Sequence, residues 1–141
     1  MWMTGRAVAG VAAVGVVVGI ACAAPDAAAD VTAVDVAPGM SFGSSGVYGT
    51  GCSYTVTATA KPGTSVLFID EVGGVRTQET LRPPGAPTGD AGKAQTVWTP
   101  DRAGVHTIWA GEYPTPGAAI VTTQVNVGTG VNLGPACLVL P

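Results

Sequence analysis

Cys52-Ser53-Tyr54-Thr55-Val56-Thr57-Ala58-Thr59 is the stretch on which the reading of this chain turns. Apolar and polar residues alternate strictly. Cys52, Tyr54, Val56 and Ala58 fall on one face, and Ser and Thr fall on the other. A period of two is the signature of a half-buried β-strand, because successive side chains point to opposite sides of the backbone. A Gly/Ser-rich loop ending at Gly51 precedes it, and Lys61-Pro62-Gly63-Thr64 follows as a turn.

The same grammar repeats on both sides. Val31–Val36 reads as a first strand, ended by Pro38-Gly39. Ser65–Asp70 is a short apolar strand. Gly73-Gly74 predicts a hairpin into a strand over Val75–Leu81. Arg82–Gly92 is rich in Pro and Gly and reads as a loop without regular structure. Ala94–Thr99 and Val105–Ala110 are strands separated by a corner, Pro100–Gly104. Pro114–Gly117 is a turn, and Ala118–Val127 is the last long strand. Residues 128–141 read as a Gly-rich tail carrying Cys137. No helical periodicity interrupts this series. About seven strands in about 110 residues predict an all-β fold, an immunoglobulin-like antiparallel β-sandwich. A small closed barrel is the alternative.

Composition agrees with short strands and many turns. Charged residues make 11% of the 141 residues, with 21 Gly and 11 Pro, and long surface helices need more charge than that. The net charge is −3. Lys61, Arg76, Lys93 and Arg102 are scattered rather than clustered, which argues against nucleic acid as a partner.

Residues 1–29 read as a secretory signal peptide ahead of a domain at 30–127. Arg6 supplies the positive start, Ala7–Pro25 is uncharged and apolar, and Ala27-Ala28-Ala29 precedes Asp30. Cleavage is expected after Ala29, with Ala23 and Ala24 as alternative sites. An uncleaved anchor is the competing reading, although the Ala and Gly content makes the run weakly hydrophobic. Lipidation of Cys22 would need an apolar residue where Gly19 stands. The expected location is secreted or in the cell envelope, with membrane contact through the signal peptide. Removal of residues 1–29 leaves Cys52 and Cys137, an even pair that reads as a disulfide outside the cytosol.

Tyr48-Gly49, Tyr54–Ala58 and Val66-Leu67-Phe68-Ile69-Asp70 resemble strands B and C of a bacterial immunoglobulin-like repeat domain. Ala94–Pro100 and Ala103–Ala110 resemble its strands E and F. The resemblance runs over Val31–Val127 and implies sandwich topology and an exported, adhesive or partner-binding setting. In such corners an Asp, a Gly and a Tyr tie the entry to strand F. Asp101, Gly104 and His106 stand at comparable spacing, with His106 in the Tyr place. Ile108 stands where antibody domains carry Cys, so Cys52–Cys137 would instead tie strand B to the tail.

Motifs for chemistry are sparse. Gly39-Met40-Ser41-Phe42-Gly43 matches G-x-S-x-G, but that motif works as a strand-to-helix elbow, and Gly-Ser-Ser-Gly follows here. A hydrolase would pair Ser41 with His106, the single His, and an acid such as Asp101. Asp70 is expected to close its strand and cap the turn; a weak calcium site of Asp70, Glu71 and Glu112 is the functional alternative. Gly128–Gly134 reads as a flexible linker. No catalytic residue, metal or cofactor is assigned. Parity places Val66 and Phe68 inside, with His106, Ile108, Ala110 and Trp98. Leu67, Ile69 and Trp109 then share an outer face, the candidate surface for a protein or envelope partner. The expected function is non-enzymatic binding or adhesion. A secreted inhibitor acting through Arg82–Gly92 and a small Ser/His hydrolase are the rivals.

Overall fold

A computed structural model describes residues 30–43 and 46–141. The expected signal peptide over residues 1–29 and Cys22 lie outside the described residues. Among those described there is no helix, and none long and apolar enough to cross a membrane.

In chain order the strands are β1 (Val31–Ala37), β2 (Ser41–Gly43), β3 (Tyr48–Gly49), β4 (Tyr54–Ala60), β5 (Ser65–Val72) and β6 (Val75–Thr77). There follow β7 (Leu81–Arg82), β8 (Gly85–Pro87), β9 (Lys93–Trp98), β10 (Gly104–Glu112), β11 (Ile120–Asn132) and β12 (Cys137–Leu140). They form two sheets. One has the order β1-β4-β9-β7; the other has β2-β12-β11-β10-β5-β6, with β3 on β11 and β8 on β5. The molecule is a β-sandwich.

Alternation builds the core between the sheets. Tyr54, Val56 and Ala58 of β4 are buried beside Ala94, Thr96 and Trp98 of β9. From the facing sheet come Val66 and Phe68 of β5 and His106, Ile108 and Ala110 of β10. Gly73 and Gly74 have φ of 57° and 78°. Two consecutive left-handed residues make the tight turn whose twist suits a hairpin, and Val72 pairs with Val75 across it.

Three segments depart from expectation. The region after Val127 is not a linker. β11 continues to Asn132, pairing with β3 through Val127 and Gly128 and with β12 from Thr129. Gly130 marks close backbone approach rather than slack: a Cβ there would run into Thr50 O. Asn132 turns the chain, its Oδ1 accepting from Gly134 N at 2.9 Å.

The expected strand Val75–Leu81 is two strands in different sheets. β6 stays beside β5, then a turn from Gln78 carries the chain across, and β7 pairs with β9. Leu81, fully buried, anchors the crossing. Arg82–Gly92 is likewise not an unstructured loop. It holds the end of β7 and all of β8, which pairs with β5. Pro84 O accepts from Phe68 N, and buried Thr88 donates to Lys61 O at 2.7 Å.

Cys52 and Cys137 are joined by a disulfide, with Cα atoms 6.1 Å apart and a sequence separation of 85. It fastens the segment entering β4 to the first residue of β12, and so ties one sheet to the other. Tyr54 packs beside it: its hydroxyl oxygen accepts from Gly49 N at 2.7 Å and from Ser41 Oγ at 3.1 Å.

Candidate functional site

Two clusters carry the polar and apolar residues singled out by the sequence, one inside the sandwich and one on its outer surface.

The inner cluster centres on Asp70. This residue follows Val66 and Phe68 in phase along β5, so it points inward and is fully buried, as is His106. It does not cap a turn at the strand end. Asp70 Oδ1 lies 2.7 Å from His106 Nδ1, while Oδ2 accepts from Trp98 Nε1 at 2.8 Å and Thr80 Oγ1 at 2.9 Å. On the far side of the ring, His106 Nε2 lies 2.8 Å from Arg102 O. A carbonyl can only accept, so Nε2 carries a proton. With a carboxylate at Nδ1, the ring carries two protons and the pair is ionised. Burial pushes the Asp70 carboxyl up, but the donors from His106, Trp98 and Thr80 outweigh it and hold the carboxyl below its usual range. Burial pushes His106 down, but Asp70 and the Arg102 carbonyl outweigh that and raise its pKa. The cluster thereby joins β5, β10, β9 and the segment entering β7 across both sheets.

The corner residues sit around this cluster. His106 reaches back to the backbone at Arg102, and Gly104, with φ 128°, opens β10. Asp101 is exposed and lies 3.8 Å from the Arg102 guanidinium. The carboxylate on the imidazole is Asp70, which lies 36 residues earlier in the chain. The sequence reading missed this partner; the phase of Asp70 with Val66 and Phe68 along β5 was the signal available for it.

This geometry does not assemble the hydrolase alternative. Ser41 lies on β2 and not at an elbow, and its hydroxyl bonds to Tyr54. Both nitrogens of His106 are engaged elsewhere. The calcium alternative fails on the same facts. Asp70 faces inward, and Glu71 accepts from Arg76 Nε at 2.6 Å. No group of three or more His, Cys, Asp or Glu side chains comes together among the described residues.

The outer cluster lies across β5, β10 and β11. Trp109 pairs with Ile69 on one side and Thr122 on the other. It is half-buried and outside the core. Two residues along β10, Gly111 stands between Leu67 and Ile120. Gly111 brings no side chain to this face, Ile120 stands close over it (a Cβ there would lie 3.3 Å from Ile120 Cγ1), and a hollow of about 180 Å3 beside them is lined in part by Leu67, Ile69, Trp109, Arg76 and Glu112. Ile120 is 59% exposed. Arg76, opposite Glu71 across the hairpin, lays its guanidinium over the Trp109 ring, 4.2 Å from the centroid. The Trp109 indole nitrogen is buried and has no hydrogen-bond partner among the described residues. The sequence reading placed Leu67, Ile69 and Trp109 on this face but missed Arg76, Gly111 and Ile120. The Gly73-Gly74 turn, which sets Arg76 opposite Glu71, was the available signal for Arg76.

No protein-family model matches the chain, and no curated protein matches it.

Proposed function

We propose that this chain is an exported, non-enzymatic immunoglobulin-like domain that binds a protein of the cell envelope or exterior. The contact is the outer face of β5, β10 and β11. The observation that carries the reading is the hollow beside Gly111. A glycine inside a strand weakens it unless something must approach closely. Here its neighbours Leu67, Ile69, Trp109 and Ile120 present apolar walls around a volume that suits one large apolar side chain. Such side chains seated in pockets dominate the energetics of protein contacts. The disulfide supports an oxidising compartment, and the N-terminal pattern of Arg6, Ala7–Pro25 and Ala27–Ala29 supports export. The inhibitor reading is the weaker one, because much of Arg82–Gly92 is bonded into the two sheets through β7 and β8.

The test is capture from envelope and medium fractions with the disulfide-bonded protein as bait. Gly111→Val fills the hollow, and Trp109→Ser removes its wall. Both should lose a captured partner that the control Val97→Ser, at an exposed site on β9 of the other sheet, retains. A partner held equally by all of these variants would disprove the assignment of this face.

A further inference from the structure

The tail of the domain has two sides of opposite character. β2, β12 and the end of β11 lie side by side, with Phe42 opposite Leu138 and Leu138 opposite Val131. Along β12 the alternate residues Cys137 and Val139 are buried and belong to the core. Leu138 and Leu140 therefore turn the other way. On that outer side Phe42, Val131 and Leu140 are exposed, at 54%, 39% and 41%. Met40 and Leu133, one residue outside β2 and β11, keep the same phase and are 71% and 55% exposed. Single exposed apolar residues are ordinary, but these are contiguous. Together they leave on the order of 500 Å2 of apolar surface in water, as much as the largest patch on a typical monomer.

Charge is missing from the same region. The sequence has no Asp, Glu, Lys, Arg or His between Asp35 and Lys61, and none after Glu112. All three strands of the tail come from these two stretches, which lie far apart in the chain and meet here.

That combination selects among occupants. A peripheral lipid contact adds attraction between Lys or Arg and anionic headgroups to the burial of apolar area. No Lys or Arg stands in these strands, and the chain carries a net charge of −3. A transient protein partner meets a surface about as polar as the rest of the molecule, whereas interfaces between identical subunits are more apolar and poor in charge at their centre. Two copies that each carry −3 repel wherever their charges approach. This face lets them touch without opposing a single charged pair. The area agrees as well. Two such faces together remove on the order of 1,000 Å2 from water, the lower bound for a specific contact.

We propose that the outer face of β2, β12 and the end of β11 packs against the same face of a second copy of this chain. The contact is isologous: each copy gives the same patch and receives it across a two-fold axis. Leu138, in the middle of its row, lies at the centre, and side chains from the two faces interdigitate as they do between the sheets of a sandwich. The area stands at the lower bound, so the dimer is weak and depends on concentration. This face shares no residue with the hollow beside Trp109, and the inference does not depend on the partner proposed there.

Sedimentation equilibrium and hydroxyl-radical labelling of the disulfide-bonded protein, across a dilution series, test it. Dimer should form as concentration rises. Labelling of Met40 and Phe42 should fall severalfold in step with it, while Tyr113, exposed outside this face, keeps its monomer level. Phe42→Asp puts a carboxylate into the face of both copies and should weaken the dimer roughly ten-fold or more. Val131→Lys repeats the test from the neighbouring strand. Gln95→Lys, at an exposed position on β9 of the other sheet, should leave the dimer unchanged. Circular dichroism melts at monomer concentration check that each variant is folded. A protein that stays monomeric throughout the series overturns the proposal. So does a dimer in which Met40 and Phe42 label as in the monomer, or one that folded Phe42→Asp and Val131→Lys both leave intact. Binding of the monomer to phosphatidylcholine vesicles, lost in Phe42→Asp, would give the face to lipid and overturn it too.

Discussion

His106 Nδ1 lies 2.7 Å from Asp70 Oδ1, and neither residue is reached by solvent. An ion pair so placed is held by its geometry, and breaking it by removing one partner strands a buried charge. His106→Ala should therefore cost about 3–5 kcal/mol in urea unfolding. Asp70→Asn should weaken the fold as well, since it replaces a carboxylate that accepts from three side chains.

The same pair sets a pH profile. His106 has a raised pKa in the folded protein, so its contribution is complete below its usual 6.5 and fades as pH rises through the folded value. Asp70 has a lowered pKa, so its contribution is complete above its usual 3.8 and fades as pH falls through the folded value. The melting temperature should be highest between about pH 4 and 6.5 and decline on both sides. Circular dichroism melts from acid to mild alkali read this directly. A His106→Gln protein should lose the alkaline decline; if the decline persists unchanged, another group causes it.

Reduction of Cys52–Cys137 should destabilise the protein strongly. A loop closed across a separation of 85 residues stabilises by ~4–5 kcal/mol in the chain-entropy model. Thermal unfolding with and without reductant, and of Cys52→Ser with Cys137→Ser, measures the loss. Coincident curves would show that the strand ladders alone hold β12 in place.

Two glycines separate close approach from mere flexibility. Gly130→Ala would drive a Cβ into Thr50 O, and backbone must shift to admit it. It should cost ~1–3 kcal/mol. Gly89 has nothing within 4 Å of a built Cβ, so Gly89→Ala should stay within about 0.5 kcal/mol of the parent. Denaturant midpoints for the two variants should differ accordingly.

Ser41 donates to Tyr54 and makes no hydrogen bond to His106, whose ring is fully engaged. Activated-ester hydrolysis should therefore stay at the buffer rate. Ser41→Ala should leave it there while lowering stability by about 1 kcal/mol or less. A rate above buffer that Ser41→Ala abolishes would reopen the hydrolase reading.

Much of this was legible in the order of residues, because burial in a sandwich writes itself as a period of two. Val66 and Phe68 against Leu67 and Ile69, or Ile108 against Trp109, need no more than parity. Asp70 obeys the same parity, yet its charge suggested an exposed strand end; the donors that make it tolerable inside come from Thr80, Trp98 and His106, remote in sequence. Gly128–Gly130 looked like slack because glycine has low strand propensity. Its fit against β3 depends on a neighbour 80 residues away, which no local pattern reports. The sheet switch between Thr77 and Leu81 is hidden for the same reason, since hydrogen-bond partners across sheets leave no mark on the residues between them.

The bond between Cys52 and Cys137 encloses most of the domain in a single covalent ring. The Arg82–Gly92 crossing and the exposed turn after Tyr113 both lie inside that ring. A protease that cuts either one opens the ring but releases nothing: the two pieces remain one molecule, held at the disulfide and along every ladder between them. A nicked protein would migrate intact until reductant is added, and then split in two.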